Sequence, residues 1–322
     1  MEYVNSIRLI SEKNNDPFVC KFDGFIGQKS AVKQIEFFIK SHSDETPFPT
    51  LLLSGSHGLG KTYLAEKTAG MMNRRFIAFN CGEMKKSSEF IEKVLMPISY
   101  YGVPTTIFMD ESHNLSNDIT TLLLTLLNPS SSKENKISYL NGELVYDMRD
   151  INMIFATTDA HHMFGPLKNR CTSVYFYPYE NDEIIDILKF YLGGISLKCN
   201  LSKVADACRS RARDAYVLTQ NIKRYCSLND LNYLDDKHWG ELKDIFDIRP
   251  CGLRREEVNL LKIVANHGPI SCANIALKLM VNEDNVKSEL EIRLRELGFI
   301  ASTTKGRILT NEGKEYINVY VD

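Results

Sequence analysis

Between positions 50 and 178 the apolar residues fall into two alternating patterns. Short runs of consecutive apolar and β-branched residues, at 50–54, 75–80, 105–110, 152–157 and 173–177, read as strands. The stretches between them, such as 61–72 and 88–95, carry apolar residues three or four apart and read as helices. Strands that are apolar along their whole length, each followed by a helix, need cover on both sheet faces. The pattern therefore predicts an α/β fold around a parallel sheet.

After Pro178 the period becomes helical throughout residues 181–228. Ile184, Ile185, Leu188 and Tyr191 share one face, followed by Val204 and Ala207 and then Val217 and Leu218, which predicts a small helical bundle. A polar, Asp-rich stretch at 229–236 and the segment ending Arg249-Pro250 lead into a third block. There, helices at 256–266, 272–280 and 284–297 are followed by Gly298 as a helix stop. Strands at 299–302 and 308–310 would then flank a Lys305-Gly306-Arg307 turn, the order of a winged helix. The expected division is 1–178, 179–249 and 250–322.

With 322 residues the chain is too long for one ordinary core, in line with that division. Its formal net charge of -2 supplies no global field toward nucleic acid, so a contact with DNA would need a local basic patch or many weak ones added together. The 8 cysteines stand singly, with no Cys-x-x-Cys pair, which points to reduced thiols rather than a zinc ribbon or a dithiol redox site. The first residues lack a basic start followed by an apolar run, and no apolar stretch is long enough to cross a bilayer. A cytoplasmic protein without membrane contact is expected.

Gly55-Ser56-His57-Gly58-Leu59-Gly60-Lys61-Thr62 follows the apolar Leu51-Leu52-Leu53 and opens the helix that begins Tyr63-Leu64-Ala65. Glycines at this spacing let backbone N–H groups turn inward around phosphates, and the helix N-terminus adds a favourable dipole. Lys61 would reach the β- and γ-phosphates, and the Thr62 hydroxyl would ligate Mg2+. Thr106-Ile107-Phe108-Met109-Asp110-Glu111 ends a second strand in two carboxylates. Asp110 is suited to coordinating Mg2+ and Glu111 to activating the attacking water. Acidic residues after a strand are common alone; with the phosphate loop upstream in one sheet they predict ATP hydrolysis.

Four further segments resemble the AAA+ family. Phe155-Ala156-Thr157-Thr158-Asp159 looks like the sensor-1 strand, which would set Thr158 against the γ-phosphate or the lytic water. Pro166-Leu167-Lys168-Asn169-Arg170-Cys171 resembles the arginine-finger segment, and Ser210-Arg211-Ala212-Arg213-Asp214-Ala215 resembles sensor 2. Phe25-Ile26-Gly27-Gln28 is similar to the adenine-side motif, which adds Phe25 and Ile26, with Tyr63, to the expected nucleotide contacts. A lone arginine is ordinarily a solvated charge or a structural ion pair; order and spacing select Arg170 and Arg213 here. A finger acts on a second subunit's nucleotide, so the resemblance implies a ring, a hexamer by family.

The last block narrows the resemblance. Gly252-Leu253, Gly268-Pro269-Ile270 and the run Gly298-Phe299-Ile300-Ala301-Ser302-Thr303-Thr304-Lys305-Gly306-Arg307-Ile308-Leu309-Thr310 look like the winged-helix domain of the RuvB-type branch-migration ATPases. The likeness covers nearly the whole chain, roughly residues 22–317. It implies a parallel-sheet nucleotide-binding domain, a helical lid and a C-terminal winged helix, acting on branched DNA with a RuvA-like junction-binding partner. Asn141-Gly142 between two β-rich runs is a strong hairpin signal, at the place of the family's RuvA-docking element or as a plain surface hairpin. Lys305 and Arg307, on a tip without acidic neighbours, would neutralise phosphates without reading bases, unless the tip is a solubilising loop.

Some positions depart from the family pattern. Ser56 and His57 stand where prolines are usual, Tyr63 replaces a common threonine, and Asp159 replaces an arginine. A loader of a sliding clamp or replicative helicase, or an ATP-switched winged-helix regulator, are the competing readings. His113, the pair His161-His162 and His267 have no ligand-spaced partners and read as structural or exposed. Trp239 reads as part of the lid-to-wing junction.

Overall fold

The computed structural model describes residues 22, 24–43, 45–128, 134–139, 142–147 and 150–320. By their contacts the residues form two compact units, Met1–Tyr179 and Glu180–Asp322. The expected boundary between 249 and 250 falls inside the second.

The first unit is built on β1 (Leu51–Ser54), β2 (Arg75–Asn80), β3 (Thr105–Asp110), β4 (Glu134–Tyr139), β5 (Gly142–Asp147), β6 (Ile151–Thr157) and β7 (Thr172–Tyr175). Five of them form one parallel sheet in the order β2-β3-β6-β1-β7. Every residue of β6 is buried, as are Leu51, Leu52 and Leu53 of β1 and the first five residues of β3, because helices cover both faces. β2 and β3 fall where the apolar runs end, and the other three strands differ from their expected bounds by only one or two residues.

The helical stretch expected at 88–95 begins as Ser87–Phe90, widens into a π-helical turn at Ile91–Leu95 and continues as Met96–Tyr101. Pro97 stands two residues after that turn. Its ring and missing N–H exclude the ordinary helical bond to Lys93, and the widened turn accommodates it. β4 and β5 pair antiparallel, from Glu134 opposite Asp147 to Tyr139 opposite Gly142, so the expected hairpin is present. Asn141 lies outside the described residues.

The second unit begins with helices Asn181–Leu192, Leu201–Ala207, Ala212–Leu228 and Asp236–Ile245. The last lies in the segment ending Arg249-Pro250, where no helix was expected; it carries buried Trp239 and Leu242. Arg255–His267, Cys272–Leu279 and a third helix follow, the third interrupted by a π-helical turn at Val286–Leu290. The wing strands are Ile300–Thr303 and Gly306–Leu309. A helix not foreseen, Asn311–Tyr320, closes the unit: the Gly313 N–H donates to Thr310 Oγ1 (3.1 Å), and Tyr316 is buried against Phe299.

Inside this unit Arg209, 7% exposed, pairs with Glu257, 1% exposed, at 2.5 Å. The other Glu257 oxygen accepts the Arg254 N–H at 2.7 Å. Burial pulls the Arg209 guanidinium below the usual arginine range, while the Glu257 carboxylate opposes that shift. Removing only one partner strands a buried charge, so Glu257→Ala is expected to lower the stability of the second unit by about 3–5 kcal/mol. The Arg209→Met/Glu257→Leu double variant should recover most of the loss. Urea melts of the full chain check this, and equal losses in the single and double variants would contradict it.

Burial pushes the Cys81 and Cys171 thiols up to about 12, as expected of inert structural cysteines. No helix among the described residues is long and apolar enough to cross a membrane.

Candidate functional site

The parallel order sets β3, β6 and β1 side by side, with Met109 level with Phe155 and Ser54 level with Thr157. Segments that leave the C-terminal ends of these strands therefore meet: the loop from Gly55 after β1, Asp110-Glu111 after β3, and Thr158-Asp159 after β6. Ligands of open α/β sheets bind at this edge.

The loop from Gly55 to Lys61 is held by its own carbonyls. Lys61 Nζ donates to Gly55 O at 2.6 Å and to Ser56 O at 2.8 Å, and the side chain is buried at the start of the helix Lys61–Met71. Gly58 and Gly60 take φ of 76° and 92°, the left-handed geometry that turns successive amides toward one point. At Gly55 a β-carbon would lie 2.6 Å from Phe176 O, so no larger residue fits. Thr62, the residue after Lys61, is exposed in the first turn of the helix Lys61–Met71.

Glu111 has φ 51° and ψ 48°, unusual for a non-glycine residue, and its N–H donates to Asp110 Oδ1 at 3.0 Å. This turn brings the carboxylate back over the strand ends. Thr158 Oγ1 donates to Glu111 Oε2 at 3.3 Å, and His113 Nδ1 lies 3.4 Å from the same oxygen. His57 Nδ1 is 3.4 Å from Oε1. His113 also meets Thr157 Oγ1 at 3.0 Å. His113, expected to be structural or exposed for want of a nearby carboxylate partner, does have one: the short helical turn Ser112–Asn114 folds it beside the carboxylate two residues earlier. The compact Asp-Glu-x-His spacing was the available signal.

Phe25 stacks on Tyr63 at 5.8 Å with the rings 15° apart, and both border the glycine loop, since a β-carbon on Gly60 would lie 3.5 Å from Phe25. Ile26 is half-buried in the same segment. The anchor is Gln28: its Nε2 donates to Tyr177 O at 2.6 Å and its Oε1 accepts the Tyr177 N–H at 3.1 Å. Tyr179 donates to Leu59 O at 3.1 Å. Sequence reading placed Phe25 and Ile26 here but found neither of these locks.

Arg170 is half-buried just past the short helix Gly165–Lys168; its Nη1 donates to Pro166 O at 3.0 Å, while its Nε is buried without a hydrogen-bond partner among the described residues. Asp159 pairs with His162 at 2.5 Å on the surface, and that hydrogen bond holds its carboxyl below the usual range. In the second unit Arg213 is exposed in the first turn of the helix Ala212–Leu228. The preceding turn runs through Arg209 and Ser210, with φ of 56° and 55°. Such backbone persists only where surroundings fix it, and here the Arg209–Glu257 pair does so.

The wing differs from expectation. Thr303 pairs with Gly306, so the turn is Thr304-Lys305, and Gly306 and Arg307 lie in the strand. Arg307 is not a free cation at the tip: its Nε donates to Glu291 Oε1 at 2.8 Å and its Nη2 to Oε2 at 3.3 Å, and its side chain is 18% exposed. Glu291 is buried and also takes Arg295, so moving Arg307 toward a phosphate would cost the buried carboxylate one of its two guanidinium partners. Lys305 remains exposed. It lines an open groove with His267, Ser271, Asn274 and Lys278, which runs along the helix Cys272–Leu279.

Residues 51–179 match the model of the ATPase family associated with various cellular activities (AAA), and residues 250–318 match the RuvB C-terminal winged helix domain. Among curated proteins the chain is 26% identical to the Holliday junction branch migration complex subunit RuvB of Wolbachia sp. subsp. Brugia malayi (strain TRS), over 99% of this chain and 97% of that protein. The same subunit of Campylobacter lari (strain RM2100 / D67 / ATCC BAA-1060) is 27% identical, over 89% and 87%. The fold resembles that of the Thermotoga maritima RuvB Holliday junction branch migration motor, with a TM-score of 0.77 at 21% identity, covering 94% of this chain and 98% of that one. With an AAA module that binds nucleotide, a RuvB-type winged helix behind it and likeness to RuvB subunits along its length, the chain belongs to the RuvB-type AAA+ ATPases.

Proposed function

We propose that this ATPase is a motor on branched DNA, which assembles as a hexameric ring and moves Holliday junctions in the manner named for its relatives. The observation that carries the reading is the convergence of Lys61, Asp110, Glu111 and Thr158 at three adjacent strand ends in a chain that closes with a RuvB-type winged helix. Residues 1–178 act as the nucleotide module, 179–249 as its lid and 250–322 as the DNA-binding wing.

The nucleotide is ATP with Mg2+. Inward-turned amides, the Lys61 ammonium and the absence of room for a β-carbon at Gly55 suit a phosphate chain. Among the described residues no group of three or more His, Cys, Asp and Glu side chains could hold a metal. Mg2+ takes only one or two protein oxygens, for which Thr62 and Asp110 are the candidates, and otherwise phosphates and water. Bound there, Mg2+ neutralises charge on the phosphates.

Glu111 takes the proton of the attacking water, and Thr158 orients the carboxylate and that water. Arg170 serves a neighbouring subunit's nucleotide and Arg213 senses the γ-phosphate. Phe25, Ile26 and Tyr63 border the base. Lys305, with Lys278 across the groove, holds DNA through phosphates, a grip that moves past any sequence. The β4–β5 hairpin is the segment offered to a RuvA-like partner.

The test is a mobile four-way junction incubated with the full-length protein and ATP, with and without a junction-binding protein. ATP-dependent release of duplex products is expected. A junction that is bound and left unmoved while ATP is consumed would overturn the motor reading in favour of a loader or a DNA-binding switch.

A further inference from the structure

The carboxylate of Glu111 is approached from three segments. Thr158 and His113 share Oε2, at 3.3 Å and 3.4 Å, while Oε1 faces the His57 imidazole at 3.4 Å. His57 belongs to the phosphate loop itself. On one side of it Ser56 O is tied to Lys61, and on the other Gly58 takes a left-handed φ of 76°, so the backbone that carries the imidazole is fixed. The side chain is 66% exposed against 20% for Glu111, so His57 reaches the carboxylate from the open side of the cleft. No part of the mechanism above uses it, and a proline, the residue usual at this place in the family, has no side-chain nitrogen to offer.

We propose that His57 is a positioning residue for ATP hydrolysis: from the phosphate-loop side its imidazole holds Glu111 Oε1, so the loop that grips the phosphates and the base that activates water are set as one unit. The proposal rests on Glu111 being the base. A carboxylate held at one oxygen can rotate about its terminal bond and present its lone pairs in many directions. One held at both oxygens from opposite sides keeps a single direction, with a second lone pair on Oε1 still open to water. The phosphates are gripped by the amides and Lys61, so His57 acts on turnover rather than on binding.

The experiment measures ATPase rate against ATP concentration for the full-length protein and its His57→Ala and His57→Asn variants, with Glu111→Gln as reference. His57→Ala should lower kcat about tenfold, less than the roughly 10²-fold that a full 1 Å misplacement can cost. Its KM for ATP should stay within about twofold, as expected when an interaction of the transition state alone is removed. Asparagine places an amide nitrogen where Nδ1 lies and should restore kcat to within about threefold of the original. An unchanged or raised kcat in His57→Ala, a loss confined to KM, or an asparagine variant no better than alanine would overturn the proposal. If Glu111→Gln itself turns over normally, the assignment of the base fails instead. If Glu111→Gln is inactive and His57→Ala is unimpaired, only the role of His57 falls.

Discussion

Glu111→Gln is expected to bind ATP with nearly unchanged affinity and to hydrolyse it about 10²–10⁴-fold more slowly, the range that a general base contributes. The substitution keeps shape and volume. Glutamine accepts the left-handed backbone of φ 51° about as well as glutamate, and its amide oxygen can still accept the Thr158 hydroxyl. What it loses is the capacity to take a proton from water. Binding of a fluorescent ATP analogue and single-turnover hydrolysis separate the two steps. A variant that hydrolyses at the original rate would remove Glu111 as the base, and one that fails to bind would give its carboxylate a structural role.

The second large effect is expected at Lys61. Its ammonium sits inside the loop on the carbonyls of Gly55 and Ser56, and charge-assisted bonds from that place to phosphate are worth about 1.5–3 kcal/mol each. Lys61→Ala should therefore weaken ATP binding about 10–100-fold and bring turnover close to background. It also leaves the two loop carbonyls without that donor, so the loop itself loosens. Equilibrium titration with ATP checks the affinity. Mixing Lys61→Ala with Arg170→Ala subunits adds a second readout: if Arg170 serves the neighbour's nucleotide, mixed rings contain some sites with both groups intact and regain part of the activity. Demonstrably mixed rings without recovery would count against a finger supplied in trans.

The two units differ in how they respond to change. In the first, the site rests on backbone geometry at Gly55, Gly58 and Gly60, which tolerates little side-chain variation. In the second, the turn that leads to Arg213 is held by the Arg209–Glu257 pair, and Gly252 lies so close that a β-carbon there would be 2.5 Å from Asp206 O. Lid helices and winged helix are thus joined by buried contacts within one compact unit.

From sequence alone, much of what neighbours along the chain set was legible, although the helices Asp236–Ile245 and Asn311–Tyr320 were not. The β2 and β3 strands, the glycine loop, the paired carboxylates of Asp110-Glu111 and the three helices of the wing depend on local periodicity, on the freedom of glycine and on the order of residues within a motif. Tertiary structure alone decided the pairings between distant positions. The grip of Gln28 on Tyr177 spans 149 residues, and His57 and Thr158 meet Glu111 only because β1, β3 and β6 lie side by side. Arg307 reads as a free cation until folding sets it against buried Glu291, and Gly306 reads as a turn glycine although the close approach of Ile270 is what excludes a side chain there. The physical reason is the same in each case. A charge or a hydrogen-bonding group acquires its role from whatever desolvates and faces it, and those groups come from other parts of the chain.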